Sequence, residues 1–487
     1  MTDFKGTKTN GPRLVVISNR VADLRKITQT GGLAVGLADA VKERGGVWFG
    51  WSGRRLKEPG QPKVDRIGKV TQISVALTPE DYAAYYVGYA NSVLWPLFHY
   101  RLDLVDFRQE FHDGYRRVNE KFAETVLPFL KPDDIIWVHD YHLIPLAAEL
   151  RKRGCRQRIG FFLHIPFPPL DLLAAAPDHE WLVGCLFDYD LIGFQTEADL
   201  GNFHRYAEEQ AGVARGKDGW FKTDGHNFRA GAFPIGIDVD RFAEMASRAS
   251  EEVAIDELRR KMLGRRQIIG VDRLDYSKGL PDRFKAFGRL LERHPEIHKK
   301  VTLLQVAPSS RQEVKSYADI KEELAGLSGS INGRFADFNW TPIRYIQRNV
   351  PREKLAALFR ASQVGFVTPL RDGMNLVAKE FVAAQDMKDP GVLVLSQFAG
   401  AAEEMAEALI VNPYDIDDMA DNLYRALQMP LKERQQRQKA LMARIRKQDA
   451  RAWLNGFLEA LEGLRPAGKR GGAALRGTDG GAGTLPS

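Results

Sequence analysis

Nine short runs along the chain are apolar at both alternating positions: LVVIS (14–18), IIWVH (135–139), IGFFLH (159–164), LIGF (191–194), QIIGVD (267–272), VTLLQV (301–306), VGFVT (364–368), VLVL (392–395) and ALIV (408–411). A strand with one wet face alternates apolar and polar residues. A strand buried on both faces does not, and is rich in Val and Ile. Between the runs lie stretches with helical spacing, among them 114–129, 143–153, 279–294, 312–325 and 352–361. The segment TPEDYAAYY (78–86) reads as a helix start, with Thr78 as cap, Pro79 at the first position and Asp81 three residues on. Strand–helix–strand alternation predicts an α/β fold of doubly wound parallel sheets.

The runs fall into two groups, with a break near FPIGIDVDRF (233–242). This predicts two Rossmann-like domains, 1–240 and 241–450. A helix at 450–465 follows the last sheet and could pack on either domain. The tail 466–487 has seven glycines and no apolar period, and is expected to be disordered. No internal repeat is visible.

Composition narrows the class. Of 487 residues, 44% are apolar and 27% charged, which is globular. No apolar run reaches the ~18 residues of a membrane span. MTDFKGTKTNGPR has no apolar core, so no signal peptide is expected. Cys155 and Cys185 make no disulfide framework, and a reducing cytoplasm fits. The net charge is +7, of which residues 1–13 and 466–487 each carry +2. The body is only weakly basic, which argues against a nucleic-acid footprint.

Ligands of doubly wound sheets bind beyond the strand C-termini. Polar residues there are the candidates. Gly31-Gly32-Leu33-Ala34-Val35-Gly36 comes after the first run, and its backbone N–H groups could hold a diphosphate or simply make a tight turn. Arg273 and Lys278, in VDRLDYSKGLP, would stabilise a departing diphosphate or pair at the surface with Asp272 or Asp275. In TPLRDGMNLVAKE (368–380), Asp372 and Glu380 could accept hydrogen bonds from sugar hydroxyls around a helix start at Gly373 and Asn375. Asp140, His142 and His164 converge on one strand edge. Arg20 and Arg311 come from different domains, and each could fork onto a phosphate. Asp188-Tyr189-Asp190 matches a short metal-binding DxD pattern but precedes its strand, at the wrong sheet edge. GxGxxG, GxxxxGK[ST], HExxH and GxSxG are absent, so dinucleotide, P-loop, zincin and serine-hydrolase readings lose their support.

ISNR, GGLAVG, WFGWSG, LWPLFHYR, WVHDYHL, GFFLHIPFP, VDRLDYSKGLP, TPLRDGMNLVAKE and VLSQFAGAA together resemble the trehalose-6-phosphate synthase family over about 14–465. The resemblance implies a GT-B fold, two Rossmann domains facing across a cleft. It implies retaining transfer of glucose from UDP-glucose to glucose 6-phosphate, without metal or cofactor. On the acceptor side it points to Arg20, Tyr86, Trp95, Asp140 and Arg311. On the donor side it points to Gly31, Gly32, Arg273, Lys278, Val350, Asp372, Leu376, Val377, Ala378, Lys379 and Glu380. Arg273, Lys278, Asp372 and His164 would surround the reacting centre. The last helix, 451–465, would return to the first domain. The partners implied are small-molecule substrates, with no nucleic acid and no membrane. A homo-oligomer stays open. No phosphatase motif lies beyond residue 465, so a separate phosphatase is expected.

Three rivals stand beside this reading. One is a glucosylglycerol-phosphate synthase, using glycerol 3-phosphate. Another is a catalytically silent sugar-phosphate binder, against which Arg273, Lys278, Asp372 and Glu380 argue. The third, a nicotinamide-dependent oxidoreductase, lacks its fingerprint.

Overall fold

The structure, a computed structural model, describes residues 12–21, 24, 37, 41, 42, 44–250, 264–309 and 315–464. The expected disordered tail 466–487 lies outside them.

Two sheets carry the chain. The first contains β1 (Leu14–Arg20), β2 (Gly46–Arg55), β3 (Lys63–Ile67), β4 (Val70–Leu77), β5 (Ile135–His139), β6 (Arg158–Phe162), β7 (Leu191–Phe194), β8 (Phe221–Lys222) and β9 (Asn227–Ala232). Their order is β3-β4-β2-β1-β5-β6-β7-β9-β8. All neighbours are parallel except β3/β4 and β8/β9 at the two edges. The second contains β10 (Arg266–Val271), β11 (Val301–Val306), β12 (Ile343–Ile346), β13 (Val364–Val367), β14 (Val392–Ser396) and β15 (Leu409–Val411), in the order β12-β11-β10-β13-β14-β15 and all parallel.

Every one of the nine apolar runs is a strand, and the central ones are buried along their length, as double-sided burial demands. Six strands were not anticipated: β2, β3, β4, β8, β9 and β12. The helix start at Thr78 is present, and its hydroxyl accepts from Asp81 N at 2.9 Å. Beyond Asp81 the helix widens. Residues Tyr82–Leu94 form a π-helix, with Asn91 and Ser92 side chains bonded to the carbonyls of Tyr86 and Val87.

The helix Ala450–Glu462 lies on β6 and β7 of the first sheet. A Cβ at Gly160 would come within 2.8 Å of Leu461 and Phe457, and one at Gly193 within 2.7 Å of Phe457. Glycine at these two strand positions is what lets the helix seat. Phe457 stacks on Trp137 at 4.7 Å.

Both sheets reverse their strand order at one point, between β1 and β5 and between β10 and β13. The crevice of each sheet opens there, beyond the strand C-termini. Arg20 ends β1, Asp140 comes just after β5, Arg273 after β10 and Asp372 after β13. The topology alone brings these four to the two switch points.

Candidate active site

The second sheet supplies a cationic loop and an acidic loop. After β10 the chain turns through Tyr276–Lys278 into the helix Leu280–Arg293. Gly279 makes that turn at φ 62°, and a Cβ there would sit 2.4 Å from Thr368 O, so only glycine lets the β10 and β13 loops close on each other. Lys278 is buried and donates from Nζ to Asp372 Oδ2 at 2.5 Å. The alternative pairing, with Asp272 or Asp275 at the surface, is not seen among the described residues. Asp272 is bound to Arg283, and Asp275 accepts from Ser277 N and the Tyr317 hydroxyl. Arg273 is exposed and has no carboxylate partner among the described residues.

Asp372 also accepts from Asn375 Nδ2 at 3.0 Å. Asn375 caps the helix Leu376–Ala384 from a left-handed conformation, φ 75°, and its Oδ1 accepts from Ala378 N. A short amide side chain tolerates that conformation where most residues would not. Val350, Leu376 and Val377 are half-buried at the edge of one apolar cluster. Glu380 is not solvated. Arg352 donates to it at 3.2 Å, and burial pushes its carboxyl above the usual range. Lys379 has no exposed side chain: its ammonium donates to Ile235 O at 2.8 Å and Glu404 at 2.6 Å. Only its backbone is left for a ligand.

The first sheet supplies an aromatic floor. Tyr82 and Tyr86, one turn apart on the π-helix, stack at 5.3 Å. Trp51, from β2, lies 5.5 Å from Tyr82 and 5.6 Å from Tyr86. Tyr86 stacks in turn on His142. The Arg20 guanidinium lies 5.8 Å from the Trp51 ring, against Gly53, where a Cβ would meet it at 2.6 Å. Trp51, Gly53 and Tyr82 were not singled out from the sequence, although WFGWSG contains two of them. Asp140 holds φ 76°, an uncommon conformation for a residue with a side chain, and accepts from His164 N at 3.3 Å.

The two halves meet at Trp95. Its ring lies 5.6 Å from the Arg273 guanidinium and 5.7 Å from Tyr141, and its Nε1 donates to Asp275 at 3.4 Å. The residue expected on the acceptor side therefore also supports Arg273, expected on the donor side. Nearby, Gly373 fits against the His164 backbone, Arg371 covers the Tyr100 ring at 3.7 Å and Arg101 covers Tyr276 at 5.5 Å.

His164 is wired into the protein. Gln195 Oε1 accepts from Ile235 N, so its amide nitrogen faces His164 Nδ1 at 3.5 Å. His164 Nε2 then carries the hydrogen toward His139 Nδ1 at 3.1 Å. Burial pushes His164 down to about 3. The folded imidazole is therefore neutral throughout the working range, unlike an ordinary histidine near 6.5. Both ring nitrogens are engaged within the protein, so proton exchange with a ligand is not expected of this side chain. In His164→Asn, the loss of kcat/KM should be the same at about pH 6 and pH 8, within about twofold. A ratio that titrates between those values would overturn the assignment.

Arg311, Gly31 and Gly32 lie outside the described residues. Asp190, of the DxD pattern, is engaged at the opposite sheet edge by Arg151 at 2.8 Å and Ile159 N at 2.6 Å.

The profile of glycosyltransferase family 20 matches residues 13–463. The trehalose-6-phosphate synthase of Citrobacter koseri is 50% identical over 454 residues, covering 93% of this chain and 96% of its own. An α,α-trehalose-phosphate synthase (UDP-forming) of Burkholderia xenovorans, solved in complex with glucose-6-phosphate, is 51% identical with a TM-score of 0.89, covering 93% of this chain and 100% of its own. An E. coli structure bound with UDP-2-fluoro glucose is 47% identical with a TM-score of 0.90 and the same coverage.

Proposed function

The chain belongs to glycosyltransferase family 20, and from that premise we propose that it transfers glucose from UDP-glucose to glucose 6-phosphate with retention, forming α,α-trehalose 6-phosphate and UDP. The observation that carries this reading is the junction at Trp95: Arg273, the cation for the diphosphate, lies 5.6 Å from the ring of Trp95, an acceptor-side aromatic. Donor and acceptor chemistry share one wall.

Arg273 and Lys278 hold the diphosphate, Asp372 orients the donor sugar, and Val350, Leu376, Val377, Ala378 and Glu380 line the nucleotide side with the Lys379 backbone. Arg20, Tyr86, Trp95, Asp140 and Arg311 hold the acceptor, and Gly31 and Gly32 bind the donor. The acceptor's anomeric hydroxyl attacks donor C1 on the face that UDP leaves. The C1–O bond to UDP breaks as the new C1–O bond forms, and the hydroxyl proton passes to a departing phosphate oxygen. No protein nucleophile takes part. Catalysis is positioning and electrostatic stabilisation of developing negative charge. Lys278 must share its ammonium between Asp372 and the diphosphate, which ties sugar orientation to leaving-group binding.

No cofactor or metal belongs to this proposal. Residues 1–240 with 451–465 act as the acceptor domain and 241–450 as the donor domain, in a cytoplasmic enzyme whose product needs a separate phosphatase to become free disaccharide. The test is UDP release by the purified protein from UDP-glucose in EDTA, with glucose 6-phosphate or glycerol 3-phosphate offered separately. Release with glucose 6-phosphate alone, giving a non-reducing disaccharide phosphate, is expected. Release only with glycerol 3-phosphate would keep the donor site and overturn the acceptor. Release with neither would overturn the reading.

A further inference from the structure

We propose that Arg55 is a specificity residue for the acceptor, a second guanidinium on the aromatic floor that helps Arg20 hold the acceptor's phosphate. The proposal rests on the reading of the acceptor as a sugar phosphate.

Arg55 is the last residue of β2 and Arg20 the last of β1, on parallel neighbouring strands, so both stand at the same sheet edge. Both are exposed. The Arg55 guanidinium lies 4.6 Å from the Tyr82 ring, closer than Arg20 lies to Trp51. Between them the rings of Tyr82, Tyr86 and Trp51 are in mutual contact. The surface is thus continuous, with one guanidinium over Trp51, the other over Tyr82, and Tyr86 in contact with both rings. Aromatic faces hold a guanidinium flat, in a pose from which its N–H edge can fork onto an anion. Two such groups on one ring surface favour a dianionic phosphate over a hydroxyl at the far end of the acceptor. Arg54 is the internal control. It carries the same charge one residue earlier and is equally exposed, but among the described residues it lies over no aromatic ring.

The experiment measures initial rates of UDP release for wild type, Arg55→Gln, Arg55→Lys, Arg54→Gln and Tyr82→Leu. In Arg55→Gln the KM for glucose 6-phosphate should rise about fivefold, with kcat and the KM for UDP-glucose within about twofold of wild type. Raising the salt should shrink that rise. Arg55→Lys should recover part of it, and Arg54→Gln should leave all constants unchanged. Tyr82→Leu should raise the same KM, and adding Arg55→Gln to it should have less effect than in wild type. An equal rise in Arg54→Gln, a change in kcat instead of KM, or no change in Arg55→Gln would overturn the proposal. Wild-type failure to use glucose 6-phosphate would instead overturn the acceptor reading itself.

Discussion

Arg273→Ala should lower kcat/KM about a thousandfold, roughly 4 kcal/mol of transition-state stabilisation, while the protein stays folded. Both halves of that expectation come from where the residue sits. Arg273 is exposed, stands just past a strand end, and lies over the Trp95 ring. Removing an exposed side chain with no buried charge partner changes stability by only about half a kcal/mol. In the proposed reaction its charge stabilises the diphosphate as that group gains negative charge. Lys278 cannot replace it, because its ammonium is already shared with Asp372. Arg273→Lys should recover little, since an ammonium neither forks onto two phosphate oxygens nor lies flat on Trp95. UDP release, with urea unfolding as the control, checks this. Turnover within tenfold of wild type would remove Arg273 from the diphosphate clamp.

Much of this arrangement is legible in the sequence, for one physical reason. Strands buried on both faces leave a continuous apolar signal, and in doubly wound sheets the residue after such a strand is at the ligand edge. Arg20, Asp140, Arg273 and Asp372 stand out that way. The strands without such a signal have other signatures. β3 is largely exposed and β8 has two residues, so neither carries a buried run. β2, GVWFGWSGRR, is broken by glycines at positions 46, 50 and 53, which permit close backbone approach but interrupt the pattern. The π-helix has no separate apolar period, because its register depends on side chains such as Asn91 folding back onto the backbone. Pairings across distant segments are equally hidden. No local spacing says that Lys379 reaches Ile235 and Glu404, that Arg352 neutralises Glu380, or that Trp95 stands between Arg273 and Tyr141. One buried group does leave a mark. In the helix Leu280–Arg293, Arg283 falls on the apolar face with Leu280, Phe284, Phe287 and Leu291. A charge at such a position must have partners inside.

Those partners make Arg283 the site of the largest expected loss of stability. Its side chain is fully buried. Nη1 donates to Asp272, at the end of β10, and to Gln305 of β11 at 3.0 Å. Nε donates to Thr368, just past β13, at 3.1 Å, and Nη2 points to the Lys278 carbonyl at 3.4 Å. One guanidinium therefore ties three strand ends to the turn that carries Lys278. Arg283→Met keeps the stem's volume and leaves Asp272 buried without its cation, which should cost about 3–5 kcal/mol in urea unfolding. The sign of its pH dependence comes from Asp272. Burial already holds that carboxyl above its ordinary value, and Arg283 opposes the shift. Without Arg283 the folded state binds a proton there more tightly than the unfolded state does. The deficit should therefore narrow as pH falls from about 8 to 5 and widen again as it rises. Adding Asp272→Leu should recover much of the loss, because a matched apolar pair needs no neutralisation. Activity should not return with it, since the Lys278 carbonyl and Thr368 would still lack their donor. A double variant with both stability and turnover restored would show that Arg283 serves the core alone.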